Sequence, residues 1–427
     1  MDVNAEPPVR AGLGSATVAL PDPLPMAGYG ARKTCSSGVL RPLEVNVLAV
    51  ACGDQPSLLV TLDVIAVDRG FVHQVRKLAA GYGIDADHVL VAASHTHSGP
   101  AGLRVGGAEQ AAKTDPVVAV GYLDAIRGAV DAALAMLGPV HVTVRSGRVE
   151  GVAADRNDPL RPVDGTATLL RIADSCEITI GYLWHFACHP TVLGAGNTLL
   201  TPDLPGDVRA ALRHGRGDLP VLYLNGAAGD ISTRFTRREQ TPRELTRLAG
   251  LITRAWTGPW RPLRLAPPRV RRDLIGLPAA SHDPAATHRR LAAATLALAD
   301  VPDGPRRRVR ETGIQGLRRR LSRPLSGEPA KPVLAEAHTI VLGDLALAAL
   351  PGEPVAAVGR AVRAASRHPV TLEIGYAGDY IGYLTTADMT TGYEAEAALT
   401  APGAAELAAA ALIEGLHALE DRGDEDR

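Results

Sequence analysis

Short apolar runs rich in Val, Leu and Ala alternate with longer stretches of helical period from about residue 12 onward. Residues 45–50, 58–64 and 88–93 read as strands, because runs this short and this branched suit a buried pleated surface. Residues 71–82 carry a helical period, and 117–137 form a long amphipathic helix with Tyr122, Ile126, Val130, Ala133 and Leu134 near helical spacing. Further strands are predicted at 141–145, 167–172, 178–186 and 221–224, then around 335–341 and 345–350. Helices are predicted from near Pro205 to Leu212, over 244–256 and 288–299, after Pro351-Gly352-Glu353, and over 404–419. Such alternation predicts an α/β fold, a mixed β-sheet core flanked by helices in a single large domain over 1–420, with an acidic tail at 421–427.

One stretch interrupts the pattern. Residues 302–332 hold eight arginines, Arg306, Arg307, Arg308, Arg310, Arg318, Arg319, Arg320 and Arg323, with few aromatics nearby. A nucleic-acid arm would have that charge, but the whole chain has a net charge of -1, which favours a solvated helix or loop over 306–323 and no nucleic-acid partner. The four cysteines, Cys35, Cys52, Cys176 and Cys188, form no CxxC pair and so no zinc knuckle or disulfide framework. No basic-then-apolar leader opens the chain and no long apolar run follows, so the expectation is a cytoplasmic protein without a transmembrane segment.

The candidate chemistry lies at strand ends. Ser94-His95-Thr96-His97-Ser98-Gly99-Pro100 follows the 88–93 strand, and strand alternation would turn His95 and His97 the same way. Trp184-His185-Phe186-Ala187-Cys188-His189-Pro190 closes another strand, with His189 held extended by the following proline. His185 reads as a core histidine and Cys188 as packing. Asn225-Gly226-Ala227-Ala228-Gly229-Asp230-Ile231-Ser232 is Gly-rich backbone able to bring N–H groups to a ligand, with Ser232 a turn serine or a nucleophile. In Leu350-Pro351-Gly352-Glu353-Pro354, Glu353 is expected in the first turn of a helix, where the dipole favours a carboxylate, and it is also a good oxygen ligand. Tyr376, Tyr380, Tyr383 and Tyr393 cluster in a chain only 4% aromatic, which suits either packing or polar recognition. Two histidines and a carboxylate from separate strand ends would suit catalytic zinc with an open position, where bound water is acidified and a carbonyl polarised.

Taken together, Gly12-Leu13-Gly14-Ser15-Ala16-Thr17, Gly28-Tyr29-Gly30, the His95 and His189 motifs, Gly229-Asp230-Ile231-Ser232, Pro351-Gly352-Glu353 and Tyr383-Leu384-Thr385-Thr386 resemble the catalytic domain of the neutral/alkaline non-lysosomal ceramidases. The resemblance implies a zinc amidase that cleaves an N-acyl bond by a zinc-activated water, on ceramide or another small N-acyl amide. It implies His95, His189, Glu353 and Tyr383 as zinc ligands and His97 as the residue facing the oxyanion or the transferred proton. It further implies Arg156 as an active-site arginine, Tyr393 as a second active-site tyrosine, and Ser232 as the serine often named nucleophile.

Some features depart from the family. Neither its secretion signal nor its C-terminal β-sandwich domain is expected here, Thr233-Arg234 follows Ser232 in place of Pro-Asn, and Tyr393 follows Tyr383 more closely. Two other readings stand beside the zinc amidase. One is a serine-nucleophile amidase or acyltransferase using Ser232, and the other a metal- or ligand-binding relative without turnover.

Overall fold

The computed structural model describes residues 9–52, 55–103, 115–281, 283–323 and 331–425. The chain opens as an antiparallel meander of β1 (Arg10–Thr17), β2 (Glu44–Cys52) and β3 (Gln55–Leu62). Helix α1 (Arg69–Ala80) crosses over to β4 (Val89–Ala93), which pairs parallel with β3. After α2 (Pro116–Ala135) come β5 (Gly138–Arg148), the two-residue β6 (Ala154–Asp155), β7 (Thr166–Asp174) and β8 (Thr179–Phe186). Helix α3 (Leu204–Arg213) returns the chain to β9 (Val221–Asn225), parallel to β8, and β10 (Ile231–Ser232) pairs with β6. Helix α4 (Pro242–Ala255) and β11 (Arg261–Leu263) finish this half, so the large sheet runs β4-β3-β2-β1-β5-β7-β8-β9 with β11 added on β5.

The second half builds a smaller sheet. β12 (Arg269–Leu277) leads into α5 (Pro284–Leu298) and α6 (Pro305–Leu321), and β13 (Val333–Leu342) and β14 (Leu345–Ala349) then form a hairpin. The two-residue β15 (Glu353–Pro354), α7 (Ala356–Ala365), β16 (Val370–Ile374), β17 (Tyr383–Leu384), α8 (Tyr393–Ala397) and α9 (Ala404–Glu425) complete it. The order is β12-β13-β14-β16, with β14 and β16 parallel.

Period-two alternation makes the layers. On β2, Val45, Val47 and Ala49 face a core with α1 and α2, while Leu48 and Val50 face the small sheet through Ile340, Leu347 and Leu372. Helices α3 and α4 cover the rest of the large sheet's outer face, and α7 and α9 cover the small sheet. The α/β class is thus observed, as two mixed sheets packed face to face between helices. They also meet edge to edge through an isolated bridge, Ala92 with Ala377, close to the carboxyl ends of the parallel pairs β3/β4, β8/β9 and β14/β16. Ligands of open α/β sheets gather at such ends.

The structure corrects several expectations. Glu353 is not in a helical first turn: it precedes Pro354, which disfavours helical backbone, and its N–H donates to Gly382 O at 2.9 Å in the β15–β17 pair. Helix α7 begins only at Ala356. The final helix continues through the acidic residues to Glu425, beyond the predicted end at 419. The 306–321 part of the Arg-rich stretch is a helix as expected, but it is not simply solvated. It packs on α8, with Arg320 Nη2 donating to Ala395 O at 2.8 Å, and Arg323, just beyond the helix end, donating to Ala397 O at 2.7 Å. Among the described residues, no helix is long and apolar enough to cross a membrane.

Candidate metal centre and its cavity

His95, His97, His189 and Glu353 meet where the two sheets join. Strand β4 ends at Ala93, so alternation along a strand does not align His95 with His97. Instead His95 adopts left-handed backbone, φ 67°, and the kink brings His97 Nε2 to 3.4 Å from His95 Nε2. Tyr376, also left-handed at φ 58°, stacks its ring on His95 with centroids 4.0 Å apart and receives the Ala93 N–H at its carbonyl. His189 lies past the end of β8 and bridges to Ser232. The Gly-rich loop after β9 serves it through carbonyls rather than N–H groups: Ala228 O at 2.7 Å and Ile231 O at 3.1 Å accept from His189 Nδ1.

All three imidazoles are oriented alike. Ile65 O lies 2.7 Å from His95 Nδ1 and Gly28 O lies 3.0 Å from His97 Nδ1. A carbonyl only accepts, so each Nδ1 carries the hydrogen and each Nε2 is left with a lone pair. Glu353 Oε2 lies 3.0 Å from His189 Nε2 and 3.5 Å from His95 Nε2, yet it is buried with no hydrogen-bond partner. Tyr380 donates to the other oxygen, Oε1, at 2.5 Å. Lone pairs facing lone pairs in a buried place call for a cation. A proton is a poor one here: burial, reinforced by Arg156, brings His189 down to about 4, and burial with the neighbouring histidines holds His97 well below the usual imidazole value. The His95, His97 and His189 ligand atoms lie within 4.8 Å of one another, a grouping able to hold a metal ion.

The other expected residues adjoin this group. Arg156 Nη1 donates to His189 Nε2 at 3.2 Å, while its Nε donates to Glu394 Oε1 at 2.5 Å. Burial opposes its charge, but Tyr383, Glu394 and Glu353 together keep the guanidinium above its ordinary range. Tyr383 pairs through its backbone with Glu353 and lies beside Arg156, whose Cζ is 5.3 Å from the ring. Tyr393 packs edge-on to Tyr383, centroids 5.6 Å apart, and accepts from Arg319 Nη1 at 3.0 Å. Ser232 is buried on β10, where its Oγ accepts the Arg234 N–H at 3.2 Å. His185 is apart from the centre and donates to Glu373 O at 2.7 Å, as expected of a core histidine.

A small recess of about 60 Å³ lies against His95, His97 and Glu353, lined also by Val64, Ile65 and Leu103. A larger cavity of about 460 Å³ opens beside His97, His189 and Tyr383. Sequence reasoning missed much of its wall: Arg234, Arg237, Arg308, Thr312 and Gln315. The helical spacing of Arg308, Thr312, Gln315 and Arg319 put these residues on one polar face of α6, a signal hidden by the surrounding arginines.

Residues 11–214 match the sequence pattern of the neutral/alkaline non-lysosomal ceramidase N-terminal family. The chain is similar to a neutral ceramidase of Mycobacterium tuberculosis (strain ATCC 25618 / H37Rv), 28% identical over 209 residues, covering 42% of this chain and 32% of that protein. The chain therefore spans about a third of the length of the curated relative it matches. The fold matches the crystal structure of the neutral ceramidase from Pseudomonas aeruginosa, with a TM-score of 0.78, 19% identity, and 98% of this chain and 75% of that chain covered. A second solved structure, a ceramidase complexed with C2, gives a TM-score of 0.76 at 18% identity over 98% of this chain and 76% of that one. The ceramidase-type fold thus extends over the described chain well beyond the segment that sequence alone connects to the family.

Proposed function

We propose that this chain is a zinc-dependent amidase that hydrolyses the amide bond of an N-acylated amine. The observation that carries this reading is the buried convergence of the His95, His97 and His189 Nε2 atoms on an unpartnered Glu353 oxygen beside a cavity. Nitrogen and carboxylate donors in this combination suit zinc. His95, His189 and Glu353 would hold it, because the carboxylate oxygen lies between those two imidazoles and all three side chains are buried. Tyr383, backbone-paired to Glu353, completes the set in this reading. The ion would supply Lewis-acid polarisation of the amide carbonyl and make water acidic enough to attack near neutral pH.

The remaining roles belong to the chain. Tyr380 fixes the Glu353 carboxylate through Oε1, which leaves Oε2 turned toward the imidazoles. His97 is only half-buried and borders both cavities, so its Nε2 meets the reacting amide and shuttles a proton toward the departing nitrogen. Water adds to the acyl carbon as the C–N bond breaks, giving a carboxylic acid and an amine. Arg156, anchored by Glu394, places positive charge where carbonyl oxygen gains negative charge. A serine-nucleophile route is less supported, since among the described residues no imidazole or carboxylate lies within hydrogen-bond distance of Ser232 Oγ.

The test pairs metal analysis with hydrolysis of a panel of N-acyl amides. The expected result is about one zinc per chain in the wild type, with chelation removing both metal and amidase activity. Glu353→Gln should weaken metal retention by about tenfold or more, as for other altered ligand shells. Full amidase activity after exhaustive chelation would refute the metal mechanism, and a zinc-loaded protein that hydrolyses no panel member would favour the non-catalytic relative.

A further inference from the structure

We infer that the larger cavity selects an N-acyl amide bearing an anionic group, a carboxylate or a phosphate. This rests on the amidase reading for the reaction, and for the recognition on Arg234, Arg237 and Arg308, which that reading does not use, together with the free edge of Arg156. Among the described residues no Leu, Ile, Val, Phe, Met or Trp lines this cavity. Its volume, about 460 Å³, suits a small molecule.

The charge of the wall is unbalanced. Arg234 Nη1 donates to Arg156 O at 2.8 Å, and Arg237 Nη1 donates to Thr191 O at 3.1 Å and Thr233 Oγ1 at 3.3 Å. Both arginines are thus anchored on neutral oxygens. Arg308 enters from α6 and bonds Glu311 of the same helix at 3.2 Å. One acidic residue, the exposed Glu239, lines the same wall. A second observation points the same way: Arg156 is buried, borders the cavity, and its Nη2 has no hydrogen-bond partner. Burial and the neighbouring Arg156, Arg308 and Arg237 bring Arg234 down to about 9 despite the opposing pull of Glu394. Partly buried like charges anchored on neutral oxygens, plus an orphaned N–H, are relieved by an anion that accepts charge-assisted hydrogen bonds.

The probes are N-hexanoylglycine and N-hexanoylphosphoethanolamine, which carry the anion on the amine side, and N-butylsuccinamic acid, which carries it on the acyl side. N-hexanoylethanolamine is the neutral reference. The wild type should favour at least one anionic probe in kcat/KM by about tenfold, equivalent to ~1.4 kcal/mol, and the favoured probe shows which side carries the anion. Arg234→Gln and Arg237→Gln should each shrink that ratio severalfold, a readout that a mere folding defect would leave unmoved because it lowers both rates alike. A wild-type ratio at or below one, or an unchanged ratio in both variants, overturns the inference. If no amide is hydrolysed at all, the amidase reading fails, and calorimetric titration with inorganic phosphate decides this one separately. Binding to the wild type that is weakened in the variants supports it, and no binding to the wild type overturns it.

Discussion

Gly28→Ala separates holding the metal from facing the substrate. Gly28 has φ +101°, and a methyl added there would stand 2.6 Å from His97 Cγ and Nδ1 and 2.7 Å from its Cβ. Ordinary carbon contacts begin near ~3.5 Å, so the imidazole has to retreat by close to ~1 Å. That retreat also disturbs the Nδ1 bond to Gly28 O, which sets the His97 tautomer. A misplacement of about 1 Å in a reacting group costs on the order of a hundredfold in rate, and the left-handed alanine adds about 1–3 kcal/mol of backbone strain. Glu353 keeps its approach to His95 and His189, which does not run through His97, so zinc stoichiometry should hold near the wild-type value while kcat falls by ten- to a hundredfold. The assay measures zinc per folded molecule, kcat on an N-acyl amide the wild type hydrolyses, and urea unfolding on the same preparation. Full kcat with bound zinc would refute the role given to His97. Loss of zinc in step with activity would make His97 a ligand instead of the proton-handling group.

Three further outcomes are expected. Ser232→Ala should keep kcat within about threefold and no acyl-enzyme should accumulate in rapid-quench mass spectrometry, since zinc-assisted water attack needs no serine; a trapped acyl-Ser232 would reverse the assignment. Asp63→Asn leaves the buried Arg209 guanidinium, now 2.8 Å from Asp63 Oδ2, without its carboxylate and should cost about 3–5 kcal/mol in urea unfolding; a loss below about 1 kcal/mol would show that water or Glu44 compensates. Burial brings His338 down to about 3, with Nδ1 unpartnered, so the unfolded chain binds a proton from near pH 6.5 downward while the folded one resists. Stability from this residue is therefore present above that range and falls as pH drops, by about 2 kcal/mol between pH 7 and pH 5. His338→Gln should flatten that slope in urea titrations, and an unchanged slope would count against it.

Local pattern carried a good deal. The apolar runs around Val45, Leu58, Val89 and Val221 could be buried only as strands, and each became one. Residues 269–277 gave no such signal because Arg269, Arg271, Arg272 and Asp273 line an edge strand that is half open to solvent, where charges carry no penalty. The four chemistry-bearing residues His95, His97, His189 and Glu353 were legible because each lies within a few residues of a turn-forming glycine or proline that follows an apolar run. Their arrangement was not. The left-handed turn at His95 is set by packing against Tyr376, more than 280 positions later in the chain, and the place of Glu353 is set by pairing with Tyr383 across Gly352, where a side chain would meet Gly382 O at 2.3 Å.

The sequence by itself determined the α/β alternation and the donor types, since burial period and side-chain chemistry are local properties of residues. Only the tertiary structure decided that three Nε2 atoms and one carboxylate oxygen face one another, and that arginines from the β10 loop and from α6 share a wall beside them. The physical reason is that lone-pair directions and unbalanced charge depend on which distant backbone carbonyls and carboxylates come near. Chain folding sets those neighbours, and no window of sequence contains them.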